Sequence, residues 1–154
     1  MAMRATAAGL ALLCLAGCAT KKPIIGPTVG VGPFTVDQPT DDSERDAAIA
    51  QMAASALGTE LRKDNLNAFW VPAGRAPYGD VQITGFITDL NYHTGRFGVL
   101  VTVRDSTGKE YAKVSASRDS HSMQKCVYVV MGYDIGHNGE FRHALFEAMH
   151  ASGK

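Results

Sequence analysis

Cysteine is scarce in this chain: Cys14, Cys18 and Cys126 are the only three, and two of them fall in the first eighteen residues. A disulfide framework is therefore not what holds it together. Charge of one sign is lacking as well. Fifteen acidic side chains balance fifteen basic ones, and Lys and Arg are spread from Lys21 to Lys154 in runs no longer than two. With no basic stripe, nucleic acid is excluded as a partner. Long apolar runs are also missing. The stretch from Ala5 to Gly17 falls far short of the roughly 20 residues a helix needs to cross a bilayer, no second stretch approaches that length, and no internal repeat is present.

The Ala5 to Gly17 stretch is too apolar on every face for an amphipathic core helix, and Lys21, Lys22 and Pro23 end it abruptly. It has the layout of a processing signal instead. Met1 to Arg4 supplies a short positive segment, Ala5 to Leu13 the apolar segment, and Leu15, Ala16 and Gly17 a small-residue cleavage site. Leu15-Ala16-Gly17-Cys18 resembles the lipobox of bacterial lipoproteins. The resemblance implies diacylglycerol on the Cys18 thiol, cleavage before Cys18, and acylation of the freed amine. Several acyl chains together anchor stably where one does not, because each buried methylene contributes about 0.8 kcal/mol. In an envelope with two membranes, Ala19 after the lipidated cysteine resembles an outer-membrane sorting signal. With Cys14 removed and Cys18 alkylated, Cys126 is the one thiol left, and no internal disulfide can form.

Behind residues 1–17, read as the cleaved signal, residues 18–28 read as the lipidated N-terminus and a tether: Lys21, Lys22, Pro23, Gly26 and Pro27 do not pack. Residues 29–154 read as one globular domain of a length that buries roughly two-thirds of its unfolded surface. Val29 and Val31 alternate with glycine until Pro33, which predicts an edge strand or a bulge. The Gly30-x-Gly32 pair is no dinucleotide loop, since Thr35 stands where a third small residue is needed.

Asp41, three residues before Glu44, has capping-box spacing and predicts a helix start; Ile49, Met52, Ala53, Ala56, Leu57 and Leu61 then recur at helical spacing. Arg62 and Lys63 suit its C-terminus, and Asn65 to Asn67 can supply a left-handed stop. Ala68 to Pro72 reads as a short strand with Trp70 in the core, and Ala73 to Gly79 as a loop. Strand patterns follow over Asp80 to Asn91, Arg96 to Asp105 and Lys109 to Ser117, with turns at Asn91 to Gly95 and Asp105 to Gly108. Cys126 to Met131 is too short an apolar run for periodicity to separate strand from buried connector. Asn138 caps a final helix with Phe141, Ala144, Leu145, Ala148 and Met149 on one face, and Gly153 ends it. The expected class is α+β: a mainly antiparallel sheet with a long amphipathic helix and a shorter C-terminal helix packed on one face.

With the lipobox, "VGPFTV", "ELRKDNL", "VQITGFITDL" and "DSTGKE" in that order, the chain resembles small bacterial envelope lipoproteins. The nearest patterns are the YajG-like lipoproteins and the auxiliary lipoproteins of envelope ABC transport systems, with an LptE-like layout. This implies a lipid-anchored protein at the periplasmic face of the outer membrane, acting as a non-catalytic accessory or binding subunit in envelope assembly or transport, with an envelope protein as its partner. It carries no catalytic residues over. The alternative is a lipid or glycolipid carrier with its ligand between helix and sheet.

Chemistry is thin. His143 and His150 are seven apart, with His121 or His137 as further ligands, yet no H-x-x-x-H or H-E-x-x-H spacing occurs and no metal is expected. Cys126 has the β-branched neighbours of an inert buried thiol. Ser117 to Ser122 holds serine, aspartate and histidine on one segment, whereas a triad is assembled from distant segments. No catalytic residue and no cofactor is assigned, apart from the acyl groups on Cys18. Tyr78 and Tyr92, with Arg75 and His93 nearby, are the residues expected to contact a partner, since loop aromatics and Arg favour interfaces. Replacing Cys18 with Ser is expected to abolish labelling by a metabolic fatty-acid probe and to release the protein from the membrane fraction; a labelled, membrane-bound variant would contradict the lipobox.

Overall fold

The structure, a computed structural model, describes residues 26–91, 96–119 and 126–153. Its elements are β1 (Thr28–Val36), α1 (Ser43–Lys63), β2 (Asn67–Trp70), β3 (Val81–Asn91), β4 (Arg96–Asp105), β5 (Glu110–Asp119), α2 (Cys126–Gly136) and α3 (Gly139–Ser152). The strands form one sheet in the order β2-β1-β3-β4-β5. β3, β4 and β5 make the expected antiparallel meander, while β1 runs parallel to both β2 and β3. The class is α+β, with α1 and α3 packed on the same sheet face.

That face is apolar because strands alternate. Val29 and Val31 of β1, Val81, Ile83 and Ile87 of β3, Val99, Val101 and Val103 of β4 and Val114 of β5 are buried, against Ile49, Ala53, Leu57 and Leu61 of α1 and Phe141, Leu145 and Ala148 of α3. β1 is flanked on both sides over Thr28–Val31, so it is not an edge strand there; α1 returns the chain as β2 along what would have been its edge. The bulge expected from Pro33 is present, with the register shifting between Val31 and Phe34, beyond the last residue that β1 pairs with β2. Past the bulge the Phe34 ring lies over Gly85, where an added Cβ would come within 2.8 Å of ring carbons.

The first helix starts one residue later than the capping-box spacing places it. The cap is Asp42, whose side chain accepts from the Arg45 N–H at 3.0 Å. Asp46, buried in the first turn, accepts from the N–H and hydroxyl of Thr40 at 2.6 and 2.8 Å, and so draws the preceding loop onto the helix start. At the other end Asn65 takes φ 61°. Its N–H bonds to the Arg62 carbonyl and that of Leu66 to the Leu61 carbonyl, the paired bonds of a Schellman stop.

Cys126 to Met131, left open between strand and connector, belongs to α2. Its β-branched residues disfavour a helix locally, but Gly132 and Gly136, one turn apart, let the helix lie against α1: a Cβ at Gly132 would stand 2.8 Å from Ala56. Trp70 is a further correction. It is 38% exposed, because β2 is the sheet edge and Ala68 and Val71 fill the core positions around it. α3 matches the reading, capped by Asn138, which accepts from the Phe141 N–H, and closed at Gly153.

In the β4–β5 turn one Asp105 oxygen accepts from the Thr107 N–H and hydroxyl and the Lys109 N–H, and the other from the Tyr111 hydroxyl at 3.0 Å; Gly108 takes φ 87°. These bonds, the Thr107 hydroxyl foremost, hold the carboxyl below its ordinary value of 3.8. Its stabilisation is complete above that value and is lost as pH falls through the lowered one. Asp105→Asn is expected to be less stable at neutral pH and to lose less of its melting temperature between about pH 4 and about pH 2 than wild type does. Leu145→Ala is expected to cost about 2–5 kcal/mol and Gly85→Val about 1–3 kcal/mol by expelling Phe34, both read by urea unfolding.

Candidate interaction surfaces

The chain arriving from Cys18 meets the domain at Thr28. The Thr28 N–H and hydroxyl both donate to one Asp80 oxygen, at 2.7 and 2.6 Å, and the Asp80 N–H donates back to the hydroxyl at 3.0 Å. The Thr28 hydroxyl, then its N–H, hold the Asp80 carboxyl below the usual range. The Asp80 carbonyl lies 3.0 Å from the Ser152 hydroxyl at the end of α3 and accepts from the Ser106 N–H at 3.0 Å. The start of β1, the loop before β3, the β4–β5 turn and the last turn of α3 thus converge.

The Ala73 to Gly79 loop turns at Pro72 and Arg75, past the end of β2, and its last residues come back against the start of β1. The Tyr78 carbonyl sits so close over Gly30 that a Cβ there would come within 1.9 Å of its oxygen, which is why β1 carries glycine at this position. The Tyr78 ring stacks on Phe69, centroids 4.9 Å apart, and stays 50% exposed; Arg75 on the same loop is exposed. Tyr92 and His93 lie outside the described residues. Asn91, which precedes them, ends β3 ten residues from Val81, or about 33 Å at the usual rise. The structure therefore places Tyr78 over Gly30 and Phe69, Arg75 in a turn with Pro72 past the end of β2, and Asn91 at the end of the sheet opposite Thr28.

Beyond the Tyr78 loop that lies over Gly30, the described residues leave the sheet face away from the helices uncovered around Phe86. Phe86, 45% exposed, stands there among Thr35, Thr84, Leu100 and Arg104, over a hollow of about 470 Å³. Glu110 at its margin is paired with Arg104 at 3.1 Å and Lys113 at 3.3 Å, and the Arg104 bond above all lowers its carboxyl. Neither Phe86 nor Trp70 stood out as a surface residue in the sequence, although the outward alternation of Phe86 between Thr84 and Thr88 was the available signal.

The remaining reactive side chains are dispersed. His143 lies 3.5 Å from Glu147, and two helical turns, about 10 Å, separate it from His150. His137 stacks on Tyr133 at 3.9 Å, with Nδ1 2.9 Å from the Tyr133 carbonyl. Among the described residues no three of His, Cys, Asp and Glu converge to hold a metal ion. His121 and the Cys126 side chain lie outside the described residues, as do Leu15, Ala16, Gly17 and Cys18. Ser117 and Asp119 are on β5, while residues 120–122 are not described. A hollow of about 560 Å³ lies on α1, along Gln51, Met52, Ser55, Ala56 and Thr59.

No described helix is long and apolar enough to cross a membrane. No protein-family model matches the chain, and no curated protein matches it. Among solved structures, PelC from Paraburkholderia phytofirmans, determined as a dodecamer, aligns with a TM-score of 0.53 and 20% identity over 70% of this chain and 82% of its own. A Xanthomonas campestris protein of the DUF330 family aligns over 84% of this chain and 86% of its own, at 8% identity and a TM-score of only 0.39. The domain thus shares the fold of PelC.

Proposed function

We propose that this protein is a lipoprotein anchored through Cys18 at the periplasmic face of the outer membrane, and that it acts as a non-catalytic, self-associating accessory subunit in envelope assembly or transport. The observation that carries the reading is the Leu15–Cys18 lipobox standing one short tether ahead of a domain whose first strand is pinned at Thr28. The PelC fold supports self-association, since that protein was determined as a dodecamer. The YajG-like and transport-auxiliary resemblance supports the accessory role.

Sedimentation of the detergent-solubilised, lipidated chain, paired with crosslinking in living cells, tests this. The expected result is a discrete multimer, together with an envelope protein captured by wild type and not by Cys18→Ser. A monomer that copurifies with stoichiometric lipid and captures no protein would replace the accessory subunit with the carrier.

A further inference from the structure

We infer that the sheet face around Phe86 is the interface between two copies of this chain, related by a two-fold axis that runs along the strands between β3 and β4. The inference rests on the self-association proposed above and adds the face through which it occurs.

The patch is an apolar centre inside a polar rim. Phe86 is 45% exposed, and beside it lies the hollow of about 470 Å³, lined at its centre by Pro33, Thr35, Thr84, Leu100 and Thr102. The charged side chains at its margin, Arg104 and Lys113, are both paired with Glu110, at 3.1 and 3.3 Å. A centre depleted of charge within a polar rim is the composition of interface cores, and a ring projecting beside a recess can fit a rotated copy of the same surface. Thr102 adds an unmade bond. It is 4% exposed within the hollow, and its hydroxyl has no hydrogen-bond partner among the described residues, whereas buried hydroxyls as a rule are bonded.

The strand register makes the patch self-complementary. On β3 and β4, Phe86 stands beside Leu100, Thr84 beside Thr102 and Gln82 beside Arg104. Rotation about the inferred axis exchanges these two strands at unchanged height, so Phe86 meets Leu100 of the second copy, Thr84 meets its Thr102, and Gln82 meets its Arg104. Apolar group faces apolar group, hydroxyl faces hydroxyl, and an amide oxygen faces a guanidinium. The Thr102 hydroxyl thereby gains a partner. An axis on β4 would instead set Arg104 against Arg104, a like-charge contact that excludes that alternative.

The anchor fits the same axis. With the axis along the strands, both Thr28 ends lie on one side of the dimer, and the two tethers, each running from Cys18 to Pro27, lead into one leaflet. Confinement to that leaflet raises the effective concentration of one copy against the other. The face is small enough to need it: four strands about 4.8 Å apart, over about 24 Å of their length, give about 450 Å² per copy and about 900 Å² in all, the lower end of specific interfaces. The sheet edges, the rival route for a second copy, are blunted. β5 carries Glu110, Lys113, Arg118 and Asp119, and β2 has only four residues.

Sedimentation of the full-length, lipidated chain in detergent is compared for wild type, Phe86→Ala and Phe86→Glu, with the melting temperature read for each. Wild type is expected to associate, and the folded Phe86→Glu chain to do so at least about tenfold more weakly. In a second measurement that keeps Phe86, Thr84→Cys and Thr102→Cys are made in separate chains and mixed under mild oxidation. A disulfide between positions 84 and 102, found by mass spectrometry in the mixture, is expected; each chain holds one of the two introduced thiols, so this bond joins two copies. If wild type associates, but the folded Phe86 variants associate equally well and no such disulfide forms, the face is refuted and self-association stands. A wild-type chain that stays monomeric refutes self-association itself. A Thr84→Cys thiol that a maleimide cannot reach in dilute, monomeric chain would also overturn the inference, by assigning the face to another part of the same chain.

Discussion

Val31, Ile83 and Val101 stand on three adjacent strands without accessible surface, and Leu57 and Leu61 of α1 close over two of those strands from one side. The rest of the architecture follows from this one apolar layer. Because successive side chains on a strand point to opposite faces, filling one face with Val and Ile leaves the alternate positions outside. Gln82, Thr84 and Phe86 of β3 and Leu100 and Arg104 of β4 occupy them. Among the described residues, the helices cover one face of the sheet and the other stays exposed around Phe86.

Close approach of neighbouring segments places those outer parts. Gly30 admits the Tyr78 carbonyl, Gly85 admits the Phe34 ring, and Gly132 admits α1 against α2. Each glycine is needed because the neighbouring group occupies the volume a Cβ would take. Together with the Thr28–Asp80 bonds, the first of these contacts holds the end of the Ala73 to Gly79 loop beside the start of β1. Tyr78, half exposed on that loop, is therefore held at a defined place beside the first residues of β1.

Much of the fold was legible in the sequence wherever a signal was local. The α3 cap at Asn138, its stop at Gly153, the Asp105–Gly108 turn and the Asn65 stop of α1 each depend on side chains within a few residues of the bond they make. The α1 cap was misplaced by one residue because two aspartates stand side by side and only Asp42 reaches the Arg45 N–H. Other features had no local signature. Trp70 has core chemistry and lies at the surface because its strand is the sheet edge. α2 is helical despite its β-branched residues because it packs along α1, and the glycine that allows this, Gly132, acquires its meaning only from Ala56 on that distant helix.

The sequence by itself determined the amphipathic faces of α1 and α3 and the antiparallel meander, because each is written in neighbouring residues or in a period of 2 or 3.6. Only the tertiary structure decided that β1 lies between two parallel neighbours, that α2 is a helix, and that Thr28, Asp80, the Asp105 turn and the end of α3 meet at one end of the domain. Those arrangements join residues up to 72 positions apart, as Ser152 and Asp80 are, and such distances are settled by which surfaces bury together and leave no trace in local pattern.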